Sequence, residues 1–93
     1  MPRTQKVWHV DFLHPDEWRE VHIVWRLPDG SYKARLSFLN RRGERRAGYD
    51  WHHGKDAHRH YRDEEAPYAF RTVEQLLTDF ARDVEQLRRE ARA

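Results

Sequence analysis

The fold is decided by residues 20–39, EVHIVWRLPDGSYKARLSFL. Two runs of alternating apolar and polar residues flank Pro28-Asp29-Gly30. Because proline presets φ for a turn and glycine accepts a positive φ, this pattern predicts a β-hairpin. The return strand is expected to direct four side chains to the core: Tyr32, Ala34, Leu36 and Phe38. The first strand is expected to face it with Val21, Ile23, Trp25 and Leu27.

Working outward from this hairpin, the same alternation predicts strands at about 6–13, 20–27, 31–39, 45–51 and 57–61. The period then changes to a helical one, with apolar residues at Val73, Leu76, Leu77, Phe80, Val84 and Leu87. Thr72 and Gln75 resemble a capping box, so a helix is predicted over about 72–90. The predicted fold class is α+β: an antiparallel four- to five-stranded meander with one C-terminal amphipathic helix packed on one face. Residues 1–93 are predicted to form a single domain.

Composition limits the classes of function. The chain has 93 residues, a net charge of +2 and no cysteine. Without cysteine there is no disulfide, thiol nucleophile or thiolate metal site. No apolar run approaches the roughly 20 residues of a membrane span, and the N-terminus lacks the apolar stretch of a signal peptide. A cytoplasmic protein with no membrane association is therefore expected.

Positive charge and histidine are concentrated in the middle of the chain. Arginine outnumbers lysine 15 to 3, and residues 41–62 carry seven basic and three acidic groups. The same segment holds four of the seven histidines. Arginine binds phosphates through its planar guanidinium, so this segment is the candidate nucleic-acid-binding region.

The histidines can supply acid–base chemistry. Histidine transfers protons near neutral pH, and His58 and His60 share one face of a predicted strand. With His53 in the preceding loop, they are candidates for the base and acid of RNA cleavage, and Lys55 and Arg59 are candidate phosphate ligands. The alternative is that these histidines are ordinary polar residues on a sheet face and its loop. Histidines at i and i+2 can also share a metal ion, but no clear ligand spacing accompanies them, so no metal and no cofactor are predicted.

A second basic group brackets Gly43-Glu44 in a predicted hairpin turn. It consists of Arg41, Arg42, Arg45 and Arg46. Arginines at a hairpin tip can contact a nucleic-acid backbone, where neutralising phosphates releases counterions. The alternative is a solvated turn that resists aggregation.

Four segments together resemble the TumE-like group of small bacterial toxin–antitoxin proteins. They are YDWHHG at 49–54, HRH at 58–60, YAF at 68–70 and VEQLLTDF at 73–80. The resemblance covers about residues 20–88, judged by the shared order of elements. It implies a toxin paired with a DNA-binding antitoxin protein and a ribonuclease-like action on RNA. Carried over residue by residue, it implies a site containing Asp50, His53, His58 and His60.

The leading hypothesis is an RNA-binding toxin that cleaves RNA by metal-independent acid–base chemistry. A competing hypothesis is a non-catalytic module that binds nucleic acid or protein through the arginine-rich hairpin and the sheet. A third is an interaction subunit that pairs through an exposed strand edge with a partner or with a second copy as a homodimer.

Overall fold

The computed structural model describes residues 3–92. Six strands follow one another in chain order across one antiparallel sheet, and a helix follows the last strand. The elements are β1 (Gln5–Leu13), β2 (Arg19–Arg26), β3 (Tyr32–Leu39), β4 (Arg45–His52), β5 (Ala57–Tyr61), β6 (Glu64–Tyr68) and α1 (Val73–Arg92).

The predicted α+β meander with one C-terminal helix is confirmed, but the predicted strand count of four to five is wrong. The five predicted strands and the helix begin and end within two residues of their expected bounds. The sixth strand, β6, pairs with β5 and contains Pro67. Proline has no backbone N–H to donate a hydrogen bond to a neighbouring strand. It is therefore tolerated in a strand at the edge of a sheet, where β6 lies. The acidic run at its start and this proline hid the strand in the sequence.

The β2–β3 hairpin forms as predicted, but β2 turns its other row of residues to the core. Gly30 has a φ of 86°, which the turn requires. Val24 pairs with Ala34, and both are buried. The predicted inward row was therefore wrong, and Val21, Ile23 and Trp25 lie on the opposite face. Only Val24 of β2 reaches the core, so the apolar rows of β3 and β4 decide which face the helix covers.

The core lies between α1 and one face of the sheet. On the sheet it contains Val24, Ala34, Leu36, Phe38, Ala47 and Tyr49; on the helix it contains Leu76, Phe80, Val84 and Leu87. The helical residues recur every three or four positions, so they form one stripe along α1. The predicted cap is present, since the N–H of Gln75 donates to Oγ1 of Thr72 at 3.0 Å. Within residues 3–92, no helix is long and apolar enough to cross a membrane.

A buried polar contact joins the helix to the middle of the sheet. Both Nε and an Nη of Arg59 donate to the carboxylate of Asp83 at 2.8 Å, and the hydroxyl of Tyr49 donates to it at 2.6 Å. The hydrogen bond to Asp83 raises the pKa of Arg59, and burial raises the pKa of Tyr49. The guanidinium therefore stays charged and the phenol stays protonated. This Arg59–Asp83–Tyr49 contact fixes α1 across β4 and β5.

Candidate functional site

The face of the sheet opposite α1, here named the open face, carries a band of charged and histidine side chains. Cross-strand pairing aligns Arg35 with Asp50, Asp50 with His58, and His60 with Glu65. The band therefore crosses β3, β4, β5 and β6. Because alternate residues of a strand share a face, these positions all lie on the side away from the helix.

Asp50 lies at the centre of this band. Its two carboxylate oxygens accept from the guanidinium of Arg45 at 2.9 and 3.1 Å. The Nε2 atom of His60 lies 3.1 Å from the carboxylate, and Nε of Arg35 lies 3.9 Å from it. Burial acts to raise the pKa of Asp50, but the bonds and charge of Arg45, with Arg35 and His60, hold it below its ordinary value. Asp50 is therefore an anion at neutral pH.

Local backbone geometry directs Arg45 to Asp50. The β3–β4 register shifts between Phe38 and Leu39, which places Arg45 opposite Leu39. Arg45 then extends over Gly48, where an added Cβ would lie 2.1 Å from its Nε. The guanidinium also donates to the carbonyl of Leu36 at 2.7 Å. Only glycine at position 48 leaves this path open.

His58 and His60 each contact a carboxylate. Nδ1 of His58 lies 3.3 Å from Oε1 of Glu65, while His60 lies 3.1 Å from Asp50 and 3.9 Å from Glu65. Two residues apart on one strand, their Cα atoms are separated by about 7 Å. Both side chains are partly accessible to solvent, at 44% and 28%. Two histidines so spaced can act on opposite sides of one phosphate. Among residues 3–92, no group of three or more carboxylates and histidines is arranged to hold a metal ion.

A shallow cleft on the open face reaches His58 and Asp50, while His60 lies outside its lining. Its lining includes Trp25, Lys33, Arg35, Asp50, His52, Lys55, Asp56 and His58. The ammonium of Lys33 lies 5.2 Å from the centroid of the Trp25 ring. An aromatic ring among cations is a surface on which a nucleobase can stack while its phosphate is neutralised. The cleft therefore combines features suited to a single-stranded nucleic acid.

Two other predicted site residues are not part of the cleft lining. His53 is in the β4–β5 turn, where its N–H donates to the carbonyl of Tyr32 and its ring meets the edge of Trp51. His52, its neighbour, lines the cleft instead. Arg59 faces α1 and is held by Asp83. His53 and Arg59 are thus not brought together with His58 and His60.

The arginine-rich turn between β3 and β4 lies at the other end of the sheet from Lys55. Arg41 donates to the carbonyl of Asp16, and Arg42 is exposed in the same turn. Arg46 pairs with Asp63 at 3.0 Å, beside the β5–β6 turn. Of the four arginines predicted to contact nucleic acid, only Arg45 reaches the central carboxylate of the open face.

The structure adds Trp25, Lys33, Arg35, His52 and Glu65 to the predicted site. Glu65 is not among the predicted site residues because no strand is predicted between residue 61 and the helix, and Trp25 is not because it is expected in the core. Arg35 and Asp50 meet through the β3–β4 register, which depends on a bulge that composition does not reveal. Alternation within β3 did contain one usable signal, since it places Lys33 and Arg35 on the face away from the core.

Together, fold and site define a small α+β protein whose open sheet face carries histidine–carboxylate pairs beside a basic, aromatic cleft. The family model described as Toxin TumE matches residues 16–88. This match covers more than half of the chain, so the chain belongs to the TumE toxin family, as its sequence resemblance indicated. Searches of curated proteins and of solved structures each gave no significant match.

Proposed function

We propose that this chain is a toxin that binds single-stranded RNA on its open face and cleaves it by acid–base catalysis without a metal. The observation that carries the proposal is that two histidines of β5 each contact a carboxylate of a neighbouring strand. His60 contacts Asp50 of β4, and His58 contacts Glu65 of β6. Each carboxylate can orient its imidazole and stabilise the protonated form. Family membership supports the toxin part of the proposal.

In the proposed reaction, His60 is the base. Asp50 accepts a hydrogen bond from Nε2–H of His60, which leaves the lone pair of Nδ1 free to take the proton of a ribose 2′-hydroxyl. The 2′-oxygen attacks the adjacent phosphorus, and the bond from phosphorus to the 5′-oxygen breaks. His58, protonated and held by Glu65, gives its Nε2 proton to the leaving oxygen. The products are a 2′,3′-cyclic phosphate and a 5′-hydroxyl.

Cations around the cleft would position the RNA backbone. Arg35, Lys33 and Lys55 lie along the cleft and can neutralise phosphate oxygens as charge develops on the reacting group. Trp25 provides a ring on which a base next to the cleavage site can stack. Arg45 acts through Asp50 and is a positioning residue.

A toxin of this kind works with an antitoxin, and membership of the toxin family implies such a partner. We propose that the antitoxin is a protein that suppresses RNA cleavage until it is removed. The site of action would be the cytoplasm, where RNA substrates are present.

Substitution of the histidines tests the proposal. Purified wild-type protein and the variants His58→Asn, His60→Asn and His53→Asn are each incubated with end-labelled RNA, and initial rates are measured. Either substitution on β5 should lower the rate by about 10²-fold or more. His53→Asn is the matched control, because it lies in the neighbouring turn and should cleave as the wild type does.

Equal rates in all four proteins would contradict the assignment of His58 and His60. A salt-sensitive shift of the RNA with no fragments from the wild type would contradict catalysis and favour the non-catalytic binding module.

A further inference from the structure

The edge of the sheet formed by β1 has an unusual surface. Within residues 3–92, β1 pairs only with β2, so its other backbone edge has no strand beside it. Four of its apolar side chains are 47–55% exposed: Val7, Trp8, Phe12 and Leu13. Edge strands usually avoid pairing through proline, charge or shortness. This strand has nine residues and no proline, and its bulge near Lys6 leaves residues 8–13 in regular register with β2.

The exposed segment is complementary to itself. Residues 8–12 read WHVDF, which is aromatic, polar, valine, polar and aromatic in either direction. Antiparallel pairing with a second copy about Val10 places Trp8 opposite Phe12 and His9 opposite Asp11. Each of these pairs occurs twice. A shift of two residues would place Trp8 opposite Val10 and Val7 opposite Asp11, which loses both the aromatic and the polar match.

We propose that a second copy of this chain pairs along β1 and makes a twofold-symmetric dimer with one continuous twelve-stranded sheet. The two backbone edges satisfy each other's hydrogen bonds. On the face of the sheet that carries α1, the helix leaves Trp8 and Phe12 about half exposed. In the dimer, Trp8 of each copy packs against Phe12 of the other. On the other side His9 meets Asp11, which can accept a hydrogen bond from the imidazole and also pairs with Arg19 of its own chain at 3.4 Å.

The symmetry has a consequence for the open face. A twofold axis perpendicular to the sheet places both open faces on the same side of the dimer. The two histidine–carboxylate sites then lie on one continuous surface. The dimer itself rests only on the β1 residues and does not depend on catalysis.

A charge swap tests the dimer. Sedimentation velocity is measured across a hundredfold range of concentration for the wild type, for His9→Asp and for the double variant His9→Asp, Asp11→His. The wild type should dimerise. In the single variant, the new aspartate at position 9 of each copy lies opposite Asp11 of the other copy. This repulsion occurs twice in the dimer and should raise the dimer dissociation constant by about tenfold. The double variant has the wild-type composition and should restore the wild-type constant.

Unchanged circular dichroism, and equal unfolding midpoints at concentrations where each of the three proteins is monomeric, show that any difference lies in association. The proposal is overturned if the wild type is monomeric throughout, or if His9→Asp dimerises as well as the wild type. It is also overturned if the double variant is as weak as the single one. Hydrogen exchange that protects β1 only when the antitoxin is added would identify the antitoxin as the occupant of this edge.

Discussion

Replacement of Arg59 tests whether this residue stabilises the fold. Arg59→Met keeps the length of the stem but removes the guanidinium, so the carboxylate of Asp83, 7% exposed, keeps only its bond from Tyr49. Breaking a buried ion pair from one side costs about 3–5 kcal/mol. Because the side chain of Arg59 is 37% exposed, water relieves part of this cost. We expect the free energy of unfolding to fall by about 2–3 kcal/mol.

Urea unfolding at pH 7 measures this change. Adding Asp83→Leu to Arg59→Met removes the unpaired charge, and the double variant should recover most of the loss. Arg89→Met is the control, because Arg89 and its partner Glu85 are exposed and the variant should lose less than about 0.5 kcal/mol. A free energy of unfolding for Arg59→Met that matches the control would refute the structural role of the Arg59–Asp83–Tyr49 contact.

Three further outcomes are expected. Gly48→Ala puts a methyl group on the path of the flexible guanidinium that holds Asp50, so initial rates of RNA cleavage should fall about tenfold. Urea unfolding should change far less, and unaltered cleavage would contradict this positioning role. Trp25→Ala should weaken RNA binding by about 1–3 kcal/mol in fluorescence anisotropy, and equal affinity would exclude stacking there. The hydrogen bond with His22 lowers the pKa of Glu20, against the effect of burial. The stability that this lowered pKa contributes is fully present above pH 4.5, the ordinary pKa of a glutamate. It is lost as the pH falls through the lower pKa that Glu20 has in the folded protein. Glu20→Gln should therefore flatten the acid side of the stability curve, and an unchanged curve would contradict this linkage.

The sequence predicts most of the fold because the spacing of its apolar residues clearly distinguishes strands from the helix. The turn at Pro28-Asp29-Gly30 sets the central hairpin, and the helical spacing after Thr72 sets α1. β6 is not predicted because its first residues are acidic and it contains Pro67, and these features are typical of loops as well as of edge strands. The inward face of β2 is predicted wrongly because its more apolar row, Val21, Ile23 and Trp25, lies on the open face. The row that meets the core contributes Val24 alone, and only the pairing with β3 reveals this.

The candidate site is predictable only within single strands. A period of two places His58 and His60 together, and the same period places Arg59 on the other face. Asp50 joins His60 through the register of β4 with β5, and Glu65 joins through a strand that the sequence did not reveal. Contacts across strands depend on register and bulges, which local patterns do not specify.

The identity of the RNA ends tests the central claim most directly. Pure wild-type protein is incubated with a defined single-stranded RNA in excess EDTA, and the fragments are analysed by mass spectrometry. Acid–base catalysis by His58 and His60 predicts cleavage that persists in EDTA and leaves 2′,3′-cyclic phosphate and 5′-hydroxyl ends. Cleavage that is lost in EDTA, fragments with 3′-hydroxyl and 5′-phosphate ends, or intact RNA would contradict it.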